Sequence, residues 1–262
     1  MRLKEFAKKI VAKIIPEFSV QYGTLTIRGP LEDRGFLKAL SRGEREPFMT
    51  KTLVDFVAHD TVFLDVGGHL GQYSLAVAEK LPRGSAGRVV VFEPHPRSRK
   101  YLKRNVLMNG VDDKVTVEEF CAAASTGTVL FYSDDLQSDY SSTVPNAAGS
   151  SSRTVVEVPA IPLDEYFAGK DYPTVVKIDV EGAELSVLEG MREIMKQKKP
   201  LLFIECNGPA LKRSGSSAKD LLEVLARSYS KISIIDEATK SLVTVNQSSN
   251  LNDKCENLLC LP

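Results

Sequence analysis

From residue 61 onward, short runs of almost continuous apolar residues alternate with segments of helical period, and this alternation constrains the fold more than any other feature of the chain. The runs are TVFLDV (61–66), RVVVFE (88–93), KVTVEEF (114–120), TVVKIDV (174–180) and PLLFIEC (200–206). A strand that is apolar at nearly every position is buried on both faces, which requires helices on both sides of the sheet. The segments between the runs supply them. Leu70, Tyr73, Val77 and Leu81 fall at helical spacing, 97–110 runs to an Asn-Gly stop, and 183–199 carries apolar positions three or four apart up to Pro200. The pattern predicts an α/β fold with a doubly wound, mostly parallel seven-stranded sheet. After a helix at 216–229, the runs KISIID (231–236), SLVTV (241–245) and ENLLCLP (256–262) are expected to close it with an antiparallel C-terminal edge strand.

Two regions stand outside the alternation. Residues 1–60 read as an N-terminal appendage: an amphipathic helix, the strand-like TLTIRGP (24–30), and a helix at 46–60 leading into a core domain at 61–262. Within that domain, residues of about 128–160 form an insertion in which TVLFYS (128–133) and RTVVEVPAI (153–161) look like an antiparallel pair. The polar stretch between them, 134–152, has too little apolar surface to fold alone and reads as a flexible loop.

Composition removes several function classes. Thirty-four basic residues balance thirty-four acidic ones, so no overall field draws the chain to nucleic acid. The four cysteines form no CxxC pair, which fits a reducing, cytoplasmic setting rather than a disulfide framework. No apolar run approaches the roughly 20 residues of a membrane span, and no signal peptide is visible. Residues 1–15 are basic and amphipathic. The preferred reading packs that helix on the body, and peripheral membrane binding is the alternative. Oligomeric state is not legible.

In an open α/β sheet, ligands bind at the carboxyl ends of the strands. The first strand ends in Asp65-Val66-Gly67-Gly68-His69-Leu70-Gly71, whose glycines invite a dinucleotide. The spacing does not fit: read from Gly67, His69 stands where G-x-G-x-x-G needs glycine, and Gln72 stands at the last site. A carboxylate at the strand end would also repel a pyrophosphate on the helix N-terminus. A ligand bearing an ammonium group and no phosphate, such as S-adenosylmethionine, reverses that argument. Glu93, at the end of the second strand, offers acceptors for both hydroxyls of a ribose. Asp179 is an acidic residue in an apolar strand, and Lys177, on the same face, is placed to pair with it.

With these motifs in view, the chain resembles the FkbM-type S-adenosylmethionine-dependent methyltransferases of the class I, Rossmann-like fold. The resemblance rests on FLDVGGHLGQYS, VVVFEPHPRSRKYLKRNV, CAAASTG, the Leu163-Asp164 step, VVKIDVEGAELSVLEGM, LLFIECN and ENLLCLP, in family order from residue 61 to 262, with EREPFMTKTL upstream. It implies that Asp65, Gly67, Gly68 and Gly71 hold the methionine moiety, Glu93 the ribose, and Phe120, Cys121 and Ala122 the adenine. Gly68 stands where many relatives carry alanine, a change the turn is expected to accept. Asp179 is implied to face the transferred methyl.

Methyl transfer from a sulfonium needs alignment, exclusion of water and, for a hydroxyl acceptor, a base. Asp179 is the first candidate, His69 the second, and Lys177 completes the catalytic set. The preferred reading has no metal; Asp179 with Glu205, beside Asn207, is a weak oxygen-rich candidate for magnesium. The expected activity is O-methylation of a hydroxyl on a small molecule, sugar or glycan. The sequence does not identify the acceptor, and it leaves open an NAD(P)-dependent oxidoreductase or a catalytically silent S-adenosylmethionine-binding module.

Overall fold

The computed structural model describes residues 17–134, 137–143, 153–245 and 251–262; the N-terminal basic segment of residues 1–15 lies outside them. The chain opens with a hairpin, β1 (Glu17–Tyr22) and β2 (Leu25–Pro30), followed by a 3-10 turn at Leu31–Asp33, α1 (Arg34–Ser41) and α2 (Pro47–Asp55). The alternating core then runs β3 (Val62–Val66), α3 (Gln72–Lys80), β4 (Arg88–Phe92), α4 (Pro96–Met108), β5 (Val115–Glu118). A second sheet follows, made by β6 (Cys121–Ala122), β7 (Gly127–Asp134), β8 (Gln137–Ser142) and β9 (Arg153–Ile161). The chain returns through α5 (Leu163–Tyr166), β10 (Val175–Ile178), α6 (Glu184–Glu189), α7 (Arg192–Gln197), β11 (Leu201–Asn207), α8 (Gly208–Arg213) and α9 (Ala218–Ala226). It ends with β12 (Lys231–Asp236), β13 (Ser241–Thr244) and β14 (Cys255–Leu261).

The main sheet has eight described strands in the order β13-β12-β14-β11-β10-β3-β4-β5. The five from β11 to β5 are parallel, and the C-terminal strands add antiparallel pairs. The eighth strand is the short, exposed β13, which forms the antiparallel edge; β14 inserts between β11 and β12. Its three buried residues Leu258, Leu259 and Cys260 explain that central place. Side chains alternate between two cores. Leu64, Val66, Phe92, Ile178 and Ile204 face the α5–α9 side, while Phe63, Val89, Val91, Val175 and Phe203 face α1–α4.

Strand order reverses beside β3, with β4 and β5 on one flank and β10 on the other. A crevice opens at the carboxyl ends of the strands at such a point. The N-terminal hairpin packs into the same core: Leu25 and Ile27 join Leu70, Tyr73 and Leu102. Asn105 of α4 and Asn109, which caps its C-terminus, pin β2 by pairing with the N–H and C=O groups of Arg28 and Thr26 at 2.8–3.0 Å. Asn105 also donates to the Leu70 carbonyl at 2.9 Å, which ties the hairpin to the glycine turn.

Three local expectations change. The helix read across 183–199 is two helices, α6 and α7, separated at Gly190 and Met191, where Met191 leaves helical backbone (φ −127°); Gly190 lies against the Ala123 backbone, and a Cβ there would stand 2.0 Å from its carbonyl oxygen. Part of the polar stretch 134–152 is strand: Gln137–Ser142 pairs antiparallel with β7. Its ladder comes from backbone pairing, which apolar content does not report. β5, read as buried on both faces, is half-exposed because it is the other edge of the main sheet.

Candidate active site

The crevice at the switch point is an open cleft of about 920 Å³, solvent at its mouth included. Gly67, Gly68 and His69 form its floor after β3, and Glu93 and Pro94 follow β4. Phe120, Cys121 and Ala122 border one side; Lys177, Asp179, Val180 and Glu181 border the other. Phe131 of β7 and Thr143, just after β8, complete the wall from the second sheet.

Glu93 is buried and turns both oxygens to backbone donors: Oε2 accepts from His69 N–H at 2.7 Å and Oε1 from His95 N–H at 2.8 Å. Burial pushes its carboxyl up to about 7, against the opposing pull of His69 and those two hydrogen bonds. A carboxylate has about four lone-pair sites, so two donors leave acceptor capacity on the same group.

The glycine turn is built by close approach. Gly67 has φ +89°, and a Cβ there would stand 1.9 Å from the Asp179 carbonyl oxygen. Its N–H donates to the Phe92 carbonyl at 2.9 Å. At Gly68 a Cβ would come within 2.1 Å of Val91 Cγ1, so the alanine expected to be accepted there requires that side chain to move. His69 also has positive φ, +47°; its Nε2 lies 3.5 Å from the buried Asp33, and its ring meets Phe36 edge-on at 4.9 Å.

Asp65 and Gly71 lie apart from the cleft lining. Asp65 is 0% exposed and accepts from the Ser74 hydroxyl, while its Oδ1 has no hydrogen-bond partner among the described residues. Burial raises its pKa, opposed first by Lys177. The reason is register: Asp65 on β3 and Lys177 on β10 are paired positions of adjacent parallel strands, so they share a face. Gly71 precedes α3 and lies against Leu102, where it shapes the helix start.

Lys177 is 1% exposed, donates to Asp179 Oδ2 at 3.0 Å, and places Nζ 4.6 Å from the centre of the Tyr73 ring. Burial acts to lower its pKa, but Asp179, Asp65 and Glu46 outweigh that and raise it, so the side chain is an ammonium. Burial likewise acts to raise Asp179, yet the Lys177 charge and hydrogen bond leave it below the usual carboxylate range. Asp179 is therefore a held anion, better suited to accept a hydrogen bond than to retain a proton.

Beyond Asp179, one carboxylate oxygen each from Asp179, Glu181 and Glu205 lie within 4.8 Å of one another. Glu205 accepts from the Cys255 thiol at 3.2 Å, and burial, then Asp179, Glu181 and Glu184, push it well above the usual range. Asn207 donates to Glu181 Oε2 at 3.1 Å.

Several lining residues escape a reading of strand ends: Phe36, Arg45, Glu46, Gln72 and Tyr73. Glu46 is held at φ +47° before Pro47, accepts from Tyr73 Oη–H, and accepts from Asn257 Nδ2 at 2.6 Å. The signal for this wall was EREPFMTKTL: a charged pair before a helix-starting proline.

The family model described as "Methyltransferase FkbM domain" matches residues 65–231, well over half the chain. The chain belongs to the FkbM methyltransferase family. That membership agrees with the methyltransferase expectation drawn from the glycine turn and the strand ends. It is 25% identical over 190 residues to the hexuronic acid methyltransferase AglP of Haloferax volcanii, covering 71% of this chain and 69% of that protein. It is also 25% identical over 158 residues to the methyltransferase sdnD of Sordaria araneosa, covering 50% of this chain and 60% of the relative. The crystal structure of Methyltransferase FkbM from Methylobacillus flagellatus superposes with TM-score 0.50 at 16% identity, over 84% of this chain and 60% of that one, which shows the shared fold. The FkbM chain described here thus spans about three fifths of the length of two of these three proteins. Among its described residues no helix is long and apolar enough to cross a membrane.

Proposed function

We propose that this FkbM methyltransferase is an O-methyltransferase that places the methyl of S-adenosylmethionine on a hydroxyl of a sugar or other small hydroxylated molecule. The observation that carries the reading is one cleft with two unlike groups of residues. The cleft gathers Glu93, Phe120, Cys121 and Ala122 with His69, Lys177 and Asp179; the first group is read as the nucleoside end and the second as the acceptor end. The similarity to a hexuronic acid methyltransferase supports a sugar acceptor.

S-adenosylmethionine supplies a sulfonium-bound methyl, and its transfer forms an O–C bond as the S–C bond breaks, with the electron pair left on sulfur. The remaining acceptor capacity of Glu93 takes the two ribose hydroxyls. Phe120, Cys121 and Ala122 cover the adenine, and burial keeps the Cys121 thiol protonated by pushing it up to about 12, with Glu93 adding to the shift. Gly67 and Gly68 let the methionine end lie against backbone. Asp65, behind the turn, attracts the ammonium through its charge, and Gly71 sets the start of α3. Asp179, fixed by Lys177, accepts the acceptor's O–H hydrogen bond and aims the oxygen lone pair at the methyl. His69 is the base that completes proton removal, with Asp33 beside its Nε2.

Two measurements test this reading. Calorimetry should detect S-adenosylhomocysteine and not NAD. Incubation with S-adenosylmethionine and a panel of neutral sugars, uronic acids and amines should release S-adenosylhomocysteine with hydroxylated acceptors. Cofactor binding without release across the whole panel would instead favour a silent binding module.

A further inference from the structure

We propose that Asp179, Glu181 and Glu205 form a binding site for one divalent cation, of the magnesium, manganese or calcium type, at the acceptor end of the cleft. One carboxylate oxygen from each lies within 4.8 Å of the other two. Oxygen ligands on opposite sides of a calcium-type ion at 2.3–2.6 Å are about 5 Å apart, and those of magnesium about 4 Å, so the spacing suits such an ion with little movement.

Spacing alone would not distinguish a ligand set from a patch of solvated acids. The second observation is Glu205: it is 7% exposed, yet its Oε2 is buried with no hydrogen-bond partner among the described residues. A buried acceptor left unmet is costly. Behind it, Glu184 is 0% exposed and its Oε2 is also unpartnered. A cation on the cluster would compensate both carboxylates, one directly and one through its field.

Each proposed ligand is also held through one oxygen by a neighbour outside the set. Lys177 donates to Asp179 Oδ2 at 3.0 Å, Asn207 to Glu181 Oε2 at 3.1 Å, and Cys255 to Glu205 Oε1 at 3.2 Å. Outer partners of this kind orient ligating carboxylates. The set is hard and all-oxygen, which selects for such cations over zinc or copper. Asp179 and Glu181 line the cleft, so the ion would be open to a hydroxylated ligand there. Its service to methyl transfer, polarising the acceptor hydroxyl, rests on the O-methyl reading above; the site itself does not.

The test uses the full chain and Mn²⁺ alone, followed by electron paramagnetic resonance. Free Mn²⁺ signal should be lost up to one ion per chain, recover on adding Mg²⁺ or Ca²⁺, and coincide with a rise in melting temperature. Glu205→Gln and, separately, Glu181→Gln should each weaken Mn²⁺ binding at least tenfold, while Asp112→Asn, an exposed acid elsewhere, should bind as wild type. An unattenuated Mn²⁺ signal with wild-type protein would overturn the site. So would equal binding by a folded Glu205→Gln or Glu181→Gln protein; the second variant decides if the first does not fold. Since the readout involves no methyl transfer, a failed metal site leaves the methyltransferase reading standing, and the reverse also holds.

Discussion

Replacing Glu93 by glutamine changes one atom and should remove much of the cofactor's affinity. In the wild type both oxygens accept backbone hydrogen bonds, from His69 N–H at 2.7 Å and His95 N–H at 2.8 Å. Glutamine keeps one acceptor oxygen and turns an NH₂ toward the other N–H, so one backbone donor meets another donor. The ribose then loses its charged acceptor. A hydrogen bond to a charged group contributes about 1.5–3 kcal/mol, and losing one of them predicts S-adenosylhomocysteine affinity lower by about tenfold to a hundredfold. Calorimetry with wild type and variant gives this number directly. The same titration with the 2′-deoxyribose analogue isolates the contact: wild type should discriminate against the analogue by about tenfold or more, and Glu93→Gln far less. If the variant weakens both ligands equally, Glu93 acts through the turn it braces and not through the ribose, and the argument for the nucleoside end fails.

The same carboxylate gives a pH dependence of fixed sign. Burial raises Glu93 from an ordinary 4.5 to about 7, so the ligand-free protein has that contribution below pH 4.5 and loses it as pH rises through 7. The stability involved is about 3 kcal/mol. Ribose hydroxyls favour the ionised form, so S-adenosylhomocysteine affinity should do the opposite, rising by up to about tenfold per pH unit as pH approaches 7 and then levelling; calorimetry between pH 5.5 and 8 reads it, and in Glu93→Gln the trend should vanish. Gly67→Ala combines a left-handed φ with a Cβ 1.9 Å from the Asp179 carbonyl oxygen and should cost about 2–5 kcal/mol in urea denaturation. Gly68→Ala meets only the movable Val91 side chain and should cost about 1–3 kcal/mol. Lys177→Met leaves the fully buried Asp65 without its cation, and the part-buried Asp179 without its donor, and should destabilise the fold by about 3–5 kcal/mol, whereas Asp179→Asn should lower turnover more than cofactor affinity in steady-state kinetics.

What was legible in the sequence follows from burial. The strands buried on both faces, β3, β4 and β10, declare themselves as apolar runs, and their ends place Glu93, Gly67, Gly68, His69, Lys177 and Asp179 in one cleft. Phe120, Cys121 and Ala122 line the same cleft, although that expectation came from resemblance and not from pattern. β1 is absent from the sequence reading although Phe18, Val20 and Tyr22 alternate with Ser19 and Gln21 and pack on the core. β8 gave no signal: it is a hairpin strand held by backbone pairing, and Gln137–Ser142 carries no apolar alternation at all. Asp65 was legible as the carboxylate that ends β3, but not its depth: it is fully buried on the face it shares with Lys177 and does not line the cleft, which strand sequence alone does not show. The part of the wall made by Phe36, Arg45 and Glu46 depends on how the N-terminal residues fold back over the strand ends. Nothing in local periodicity encodes that.

The central claim is methyl transfer to oxygen, and the product itself reports it. The protein should be incubated with S-adenosylmethionine carrying a ¹³C-labelled methyl and with the hydroxylated acceptors that release S-adenosylhomocysteine, and the labelled product examined by carbon NMR. The account predicts a single new resonance in the methoxy region, appearing in step with S-adenosylhomocysteine and strongly reduced in Asp179→Asn. A labelled methyl on nitrogen or carbon would contradict it.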